Sequence, residues 1–299
     1  MGTENRPEIV IDTGSSIRAD SPLSKEYPFI SAPLNINFFE NGTWTTYEDI
    51  NLTPEQFYEK MKNSQELPKT SGAIRNKIIN IYDANIQKGK STISIHITAK
   101  HSEVFNSALK AKEEMQEKYP QLFKKNNPHL LIEVIDSKQV SLPVWFLAKQ
   151  AITLADQGYP LKDIIKITLE TVPKTEVFTS LSTFENVVKG GRLSSAAGFL
   201  SSKFHLRPIV GIENGELKRQ GSLYRSDGKV REALVKRVED TAKEIVELAI
   251  VHTNFLEAAK DLKEMLSKIY SGKIDIFEAG PVLGVHAGEG ALGIALQTA

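Results

Sequence analysis

The chain has 299 residues, with 37 basic and 37 acidic side chains, no formal net charge, 40% hydrophobic and 25% charged residues. It is long enough for one large or two modest globular domains, and it has no bulk field that would draw it to nucleic acid or an anionic membrane. It contains no cysteine, which excludes disulfides, thiolate catalysis and cysteine-bound zinc, and which fits a reducing compartment.

In chain order, the opening MGTENRPEIV lacks the apolar run of a signal peptide, and no later stretch is long and uncharged enough for a transmembrane segment; a cytoplasmic location is expected. EIVIDTG (8–14), STISIHIT (91–98) and HLLIEVIDS (129–137) read as strands of a mostly parallel sheet, because β-branched runs alternate with amphipathic helical patterns. In LTPEQF (52–57), Thr53 suits the N-cap, Pro54 the first helical position and Gln56 the return bond of a capping box, with Leu52 stapled to Phe57. EVFNSALKAKEEMQEKY (103–119) places Val104, Ala108, Ala111 and Met115 on one face and is expected to cover the sheet.

A Gly and a Pro in DQGYPLKDIIKITLE (156–170) mark a boundary near residue 160. The expected division is an N-terminal α/β domain over 1–160 and a C-terminal mixed α/β domain over 161–299, with a cleft between them. The second unit has the strands TEVFTSL (175–181), RPIVGIENGEL (207–217), EIVELAIVHT (244–253) and KIDIFEA (273–279), the second of them turning as a hairpin at Glu-Asn-Gly. GPVLGVHAGEGALGIAL (280–296) reads as a glycine-rich loop at a strand's carboxyl edge, where open α/β sheets bind ligands.

Candidate chemistry collects at loops: DTGSS (12–16), PKTSG (68–72), Thr98 and Ser102 after the second strand, and KGGR (189–192) ahead of a small-residue helix. Taken singly, these hydroxyls and glycines serve as caps and turns. Taken in order, IDTGSS, APLNINF, YEDINLTPEQFYEKM, LPKTSG, VIDSKQVS, VVKGGRLS, LRPIVGIENGEL and GPVLGVHAGEGALG resemble the DegV family of bacterial fatty-acid-binding proteins over nearly the whole chain. The KGGR and final His-Gly elements carry most of that resemblance.

The resemblance implies a two-domain DegV-like α/β fold holding one long-chain fatty acid, with the tail in an apolar tunnel between the domains. A separate ATP-dependent fatty acid kinase would convert the presented carboxylate to an acyl phosphate, and the chain itself would do no chemistry and need no cofactor. The fatty acid, the kinase and transiently a membrane surface are the implied partners; nucleic acid is not among them. By the same resemblance, Thr70 bonds the carboxylate, Arg192 and His286 lie beside it, and Arg225 faces the kinase. Where the family has Ser-Ser and then Leu-Ser-Gly, this chain has Thr98, Ala99, His101, Ser102 and Glu103, so Thr98 or Ser102 supplies the second hydroxyl. Pro143 and Trp145 replace customary small residues and are expected to alter the tunnel. Lys218 and Arg219 read equally as solvated surface or as part of a basic cluster that meets a partner.

Two other readings stand beside this one. A lipid sensor or store would lack the kinase, and a phosphoryl- or acyl-transfer enzyme would use His286 as base and DTGSS as its phosphate loop. The chain has no Walker loop, no GxSxG elbow and no HExxH metal pattern. His286 also has a bland reading, in which it merely ties its loop to a neighbouring carbonyl.

Overall fold

The computed structural model describes residues 6–17, 23–71, 75–124, 130–182, 184–193 and 206–299. The small-residue helix expected after KGGR and Gly72 of the PKTSG turn lie outside them. Among the described residues no helix is long and apolar enough to cross a membrane.

The first β-branched run forms β1 (Glu8–Asp12), and a short helix α1 (Leu23–Glu26) leads to β2 (Ile30–Ala32). Two strands that the periodicity did not single out, β3 (Asn35–Glu40) and β4 (Thr43–Glu48), make a hairpin, and β5 (Lys69–Ser71) pairs with the other edge of β3. Between β4 and β5 runs α2 (Pro54–Asn63), whose start is the expected capping box: Gln56 N–H donates to Thr53 Oγ1, and Thr53 N–H to Gln56 Oε1. Next come α3 (Arg75–Gln87), β6 (Thr92–His96), α4 (Val104–Lys118) and β7 (Ile132–Asp136). Strands β2, β1, β6 and β7 form an all-parallel sheet in that order. Val104, Ala108, Ala111 and Met115 are the buried face of α4, as their spacing predicts.

Helix α5 (Leu142–Asp156) is buried along most of its length and touches β1 and β6 on one side and β8 (Thr175–Ser180) on another. Trp145 belongs to this packing, edge-on to Tyr27 and Phe29, and neither it nor Pro143 lines the cavity described below. After α5 the backbone turns at Gly158 into α6 (Leu161–Thr171).

Helix α7 (Glu185–Lys189) follows β8, and β9 (Arg207–Glu213) and β10 (Glu216–Tyr224) make the expected hairpin, with Asn214 and Gly215 both at positive φ. Then come α8 (Asp227–Glu239), β11 (Ile245–His252), α9 (Leu256–Leu266), β12 (Ile274–Glu278), α10 (Pro281–Ala287) and β13 (Leu292–Thr298). These strands join in a mixed six-stranded sheet, β10-β9-β8-β13-β11-β12, in which only β11 and β12 run parallel.

Two features of this half correct the sequence reading. Residues 281–287 are helical rather than a loop, because Pro281 suits the first helical turn and Gly288, at φ 73°, closes the last. Residues 292–298 are a buried strand between β8 and β11.

Candidate functional site

The DTGSS segment is spent on structure. Asp12 is fully buried: its Oδ1 accepts from Gly14 N–H at 2.8 Å, and its Oδ2 accepts from Ile97 N–H at 2.9 Å and faces His96 Nδ1 at 3.1 Å. The other ring nitrogen of His96 meets Ser94 Oγ at 2.7 Å. Leu34 N–H donates to Thr13 Oγ1, Ile17 N–H to Ser15 Oγ, and Ser16 Oγ bonds Ser141 Oγ. With its polar side chains occupied and buried, this turn joins the carboxyl ends of β1 and β6 to the start of α5.

Between the carboxyl edge of the parallel sheet and the face of the six-stranded sheet lies a cavity of about 210 Å³. Its aliphatic walls include Leu34, Ile97, Val140, Val177, Leu181 and Val210, and its polar lining includes Thr70, His101, Ser102, Arg192 and His286. Thr253 also lines it, but its hydroxyl already donates to Gly288 O at 2.6 Å and accepts from Ala291 N–H at 2.7 Å.

Glycines place the histidine at this cavity. A Cβ on Gly284 would stand 2.5 Å from the Phe57 ring, so only glycine lets α10 pack this closely on α2. A Cβ on Gly190 would stand 2.8 Å from His286 Nδ1 and 2.9 Å from Asn186 O. The glycine of KGGR therefore makes the room that the histidine of GVHAG fills. Asn186 Nδ2 donates to Val285 O at 3.2 Å and ties α7 to α10.

His286 Nε2 lies 3.0 Å from Thr70 Oγ1 on β5, which joins two residues 216 positions apart. Burial, the Arg192 charge and His101 push the His286 pKa down to about 3, so the ring is neutral at pH 7. Nδ1 is buried against Gly190 without a hydrogen-bond partner. A bare lone pair there costs less than a stranded N–H, which assigns the ring proton to Nε2 and directs it at Thr70 Oγ1. The Thr70 hydroxyl hydrogen is then free to donate to a ligand.

Arg192 is half-buried. Its Nε donates to His101 O at 3.3 Å and its Nη1 to Gly190 O, and it has no carboxylate partner among the described residues. Burial lowers its pKa from the ordinary arginine value. Of the two candidate hydroxyls, Ser102 lines the cavity, while Thr98 is buried outside it and donates to Gly215 O at 3.1 Å. Thr98 thus fastens the β9–β10 turn to the end of β6. Arg225 is exposed, just ahead of the α8 N-cap Ser226, and is not part of the cavity. The fold thus brings Thr70, Ser102, Arg192 and His286 together at one cavity and leaves Thr98 and Arg225 apart from it.

One residue escaped the sequence reading. His101 lines the same cavity, and burial and the Arg192 charge lower its pKa. No sequence pattern announces this, since its partner Leu217 lies 116 positions away.

The family described as "Uncharacterised protein, DegV family" matches residues 7–299. The DegV domain-containing protein YejH of Lactococcus lactis is 30% identical over 294 residues, which cover 97% of this chain and 99% of the relative. Among solved structures, DegV from Bacillus subtilis, a fatty acid binding protein, is similar with a TM-score of 0.79 at 25% identity over 99% of this chain and 100% of that one. A DegV family protein from Thermus thermophilus, described for its fatty acid binding, shares the fold with a TM-score of 0.83 at 22% identity, over 98% of this chain and 100% of that one.

Proposed function

The chain belongs to the DegV family, and from that premise we propose that it binds a long-chain fatty acid in the cavity between its two large sheets. The observation that carries this reading is Arg192, a half-buried cation with no acidic partner among the described residues, at a cavity walled by aliphatic side chains. A buried charge requires a counter-ion or strong hydrogen bonds, and a ligand carboxylate supplies both. Each methylene of the tail contributes about 0.8 kcal/mol on burial, so affinity comes mainly from the chain. Thr70 and Ser102 then orient the head group without a second ion pair, and neutral His286 holds the Thr70 hydroxyl in place.

Denaturing mass spectrometry of the purified protein tests the reading. Release of a fatty acid, or uptake of one equivalent of palmitate on incubation, is the expected result. No bound lipid and no uptake would defeat it.

We propose further that the chain is a cytoplasmic, non-catalytic subunit that presents the carboxylate to a separate ATP-dependent kinase, where a carboxylate oxygen takes the γ-phosphoryl group of ATP as its bond to the β-phosphate oxygen breaks, giving an acyl phosphate and ADP. Hydroxyl donors suit presentation, because they hold the carboxylate less tightly than a bidentate guanidinium pair and leave it nucleophilic. Arg225, exposed and outside the cavity, is the cation this reading assigns to the kinase. Arg225→Ala is expected to keep the lipid and slow acyl phosphate formation by the kinase. Loss of the lipid itself would remove Arg225 from that role.

A further inference from the structure

We infer that His101 is an imidazole donor to the ligand's head group, a role that rests on the fatty-acid reading above. The ring lines the cavity on the turn between β6 and α4, and its tautomer is fixed by the protein: the Leu217 N–H of β10 donates to its Nε2 at 3.1 Å. A ring nitrogen that accepts a hydrogen bond carries no proton, so the neutral imidazole bears its hydrogen on Nδ1. Burial and the neighbouring guanidinium disfavour a second proton. Among the described residues no protein group accepts from that Nδ1–H.

His101 also belongs to the same polar end as the other head-group residues. Arg192 Nε donates to its carbonyl at 3.3 Å, and both His101 and Arg192 act on the pKa of His286. A cation and an unspent N–H at one end of an aliphatic cavity call for an anionic oxygen acceptor. Because the ring is strapped to β10 before any ligand arrives, the donor is ordered in advance and little rotamer freedom is lost on binding.

The test is the preference for palmitate over methyl palmitate, measured as a ratio of dissociation constants within each protein so that a change in overall stability cancels. His101→Phe keeps a flat ring and removes both nitrogens; His101→Asn keeps an N–H donor near the Nδ1 position and loses the bond to Leu217. The acid preference is expected to fall about tenfold in the Phe variant and to return in the Asn variant. Equal loss in both variants would make His101 a strap for β10 only, and an unchanged preference in the Phe variant would likewise overturn the assignment. Failure of the wild-type protein to take up palmitate would instead remove the lipid reading, and this inference with it.

Discussion

Two polar clusters at the carboxyl edge of the parallel sheet differ in how completely they are satisfied. In the first, Asp12 takes the Gly14 and Ile97 N–H groups and faces His96, and both nitrogens of His96 have partners. In the second, His286 Nδ1 has no partner, and Arg192 has no carboxylate among the described residues. Buried polar groups in a settled structure are paired. A saturated cluster serves the fold, and a cluster whose cation has no carboxylate beside a cavity is suited to an anionic ligand.

The largest expected effect breaks the saturated cluster. Asp12→Ala leaves the Gly14 and Ile97 N–H groups and His96 without their acceptor, and three such losses at about 1–3 kcal/mol each lower stability by about 3 kcal/mol or more. Urea unfolding measures this, and a loss below about 1 kcal/mol would show the cluster to be incidental. Next in size is Gly190→Ala. Its Cβ meets His286 Nδ1 and Asn186 O at under 3 Å, an overpacking that costs about 1–3 kcal/mol, and it displaces the imidazole from Thr70. Gly191→Ala meets no neighbouring atom but sits at φ 71°, a strain of about 1–2 kcal/mol. Both variants are expected to lose stability, and only the first to lose palmitate affinity. Equal affinity in the two would deny that Gly190 positions His286.

The same contrast explains what the sequence disclosed. The α2 capping box, the α4 face and the Asn214–Gly215 hairpin are local devices, and each forms as its pattern dictates. The β3–β4 hairpin had an equally local signal, since Asn41 and Gly42 lie between two strands and take φ 51° and 79°. Strand β13 is buried along its whole length, so its small apolar residues lack the alternation that marks a half-exposed strand. Helix α10 was hidden by Gly284 and the glycines that flank it, and Gly284 serves packing against Phe57 rather than loop freedom. The site was legible only as residue types. Thr98 and Ser102 are equivalent hydroxyls in the sequence, and the β9–β10 turn, more than 100 residues on, decides between them by engaging Thr98.

Smaller effects probe the unsaturated cluster directly. Thr70→Val removes the hydroxyl between His286 and the proposed ligand while keeping the shape; at about 1.5 kcal/mol for a hydrogen bond to a charged acceptor, palmitate affinity is expected to fall about tenfold, and the His286 Nε2–H left without its acceptor lowers stability by about 1–3 kcal/mol. Unaltered affinity would reduce Thr70 to a partner of His286.

The smallest expected effect is a slope with pH. His286 has a pKa of about 3 in the folded chain against an ordinary 6.5, so above pH 6.5 neither state holds the extra proton and the folded state incurs no penalty. As pH falls below 6.5 the unfolded chain takes up a proton that the folded chain refuses, and stability declines until pH reaches about 3. His101 and His252, whose pKa values burial also lowers, contribute with the same sign. Most carboxylates titrate below about pH 5, so urea unfolding between pH 7 and pH 5 isolates the histidines. Stability is expected to fall over that range in the wild type and to fall less in His286→Asn. Bound palmitate should also flatten the wild-type slope, because a carboxylate beside the imidazole favours its protonated form and narrows the gap between the folded and unfolded pKa values. Identical slopes in the wild type and His286→Asn would mean that the ring is not held neutral by its burial, and a slope indifferent to palmitate would place the carboxylate away from His286.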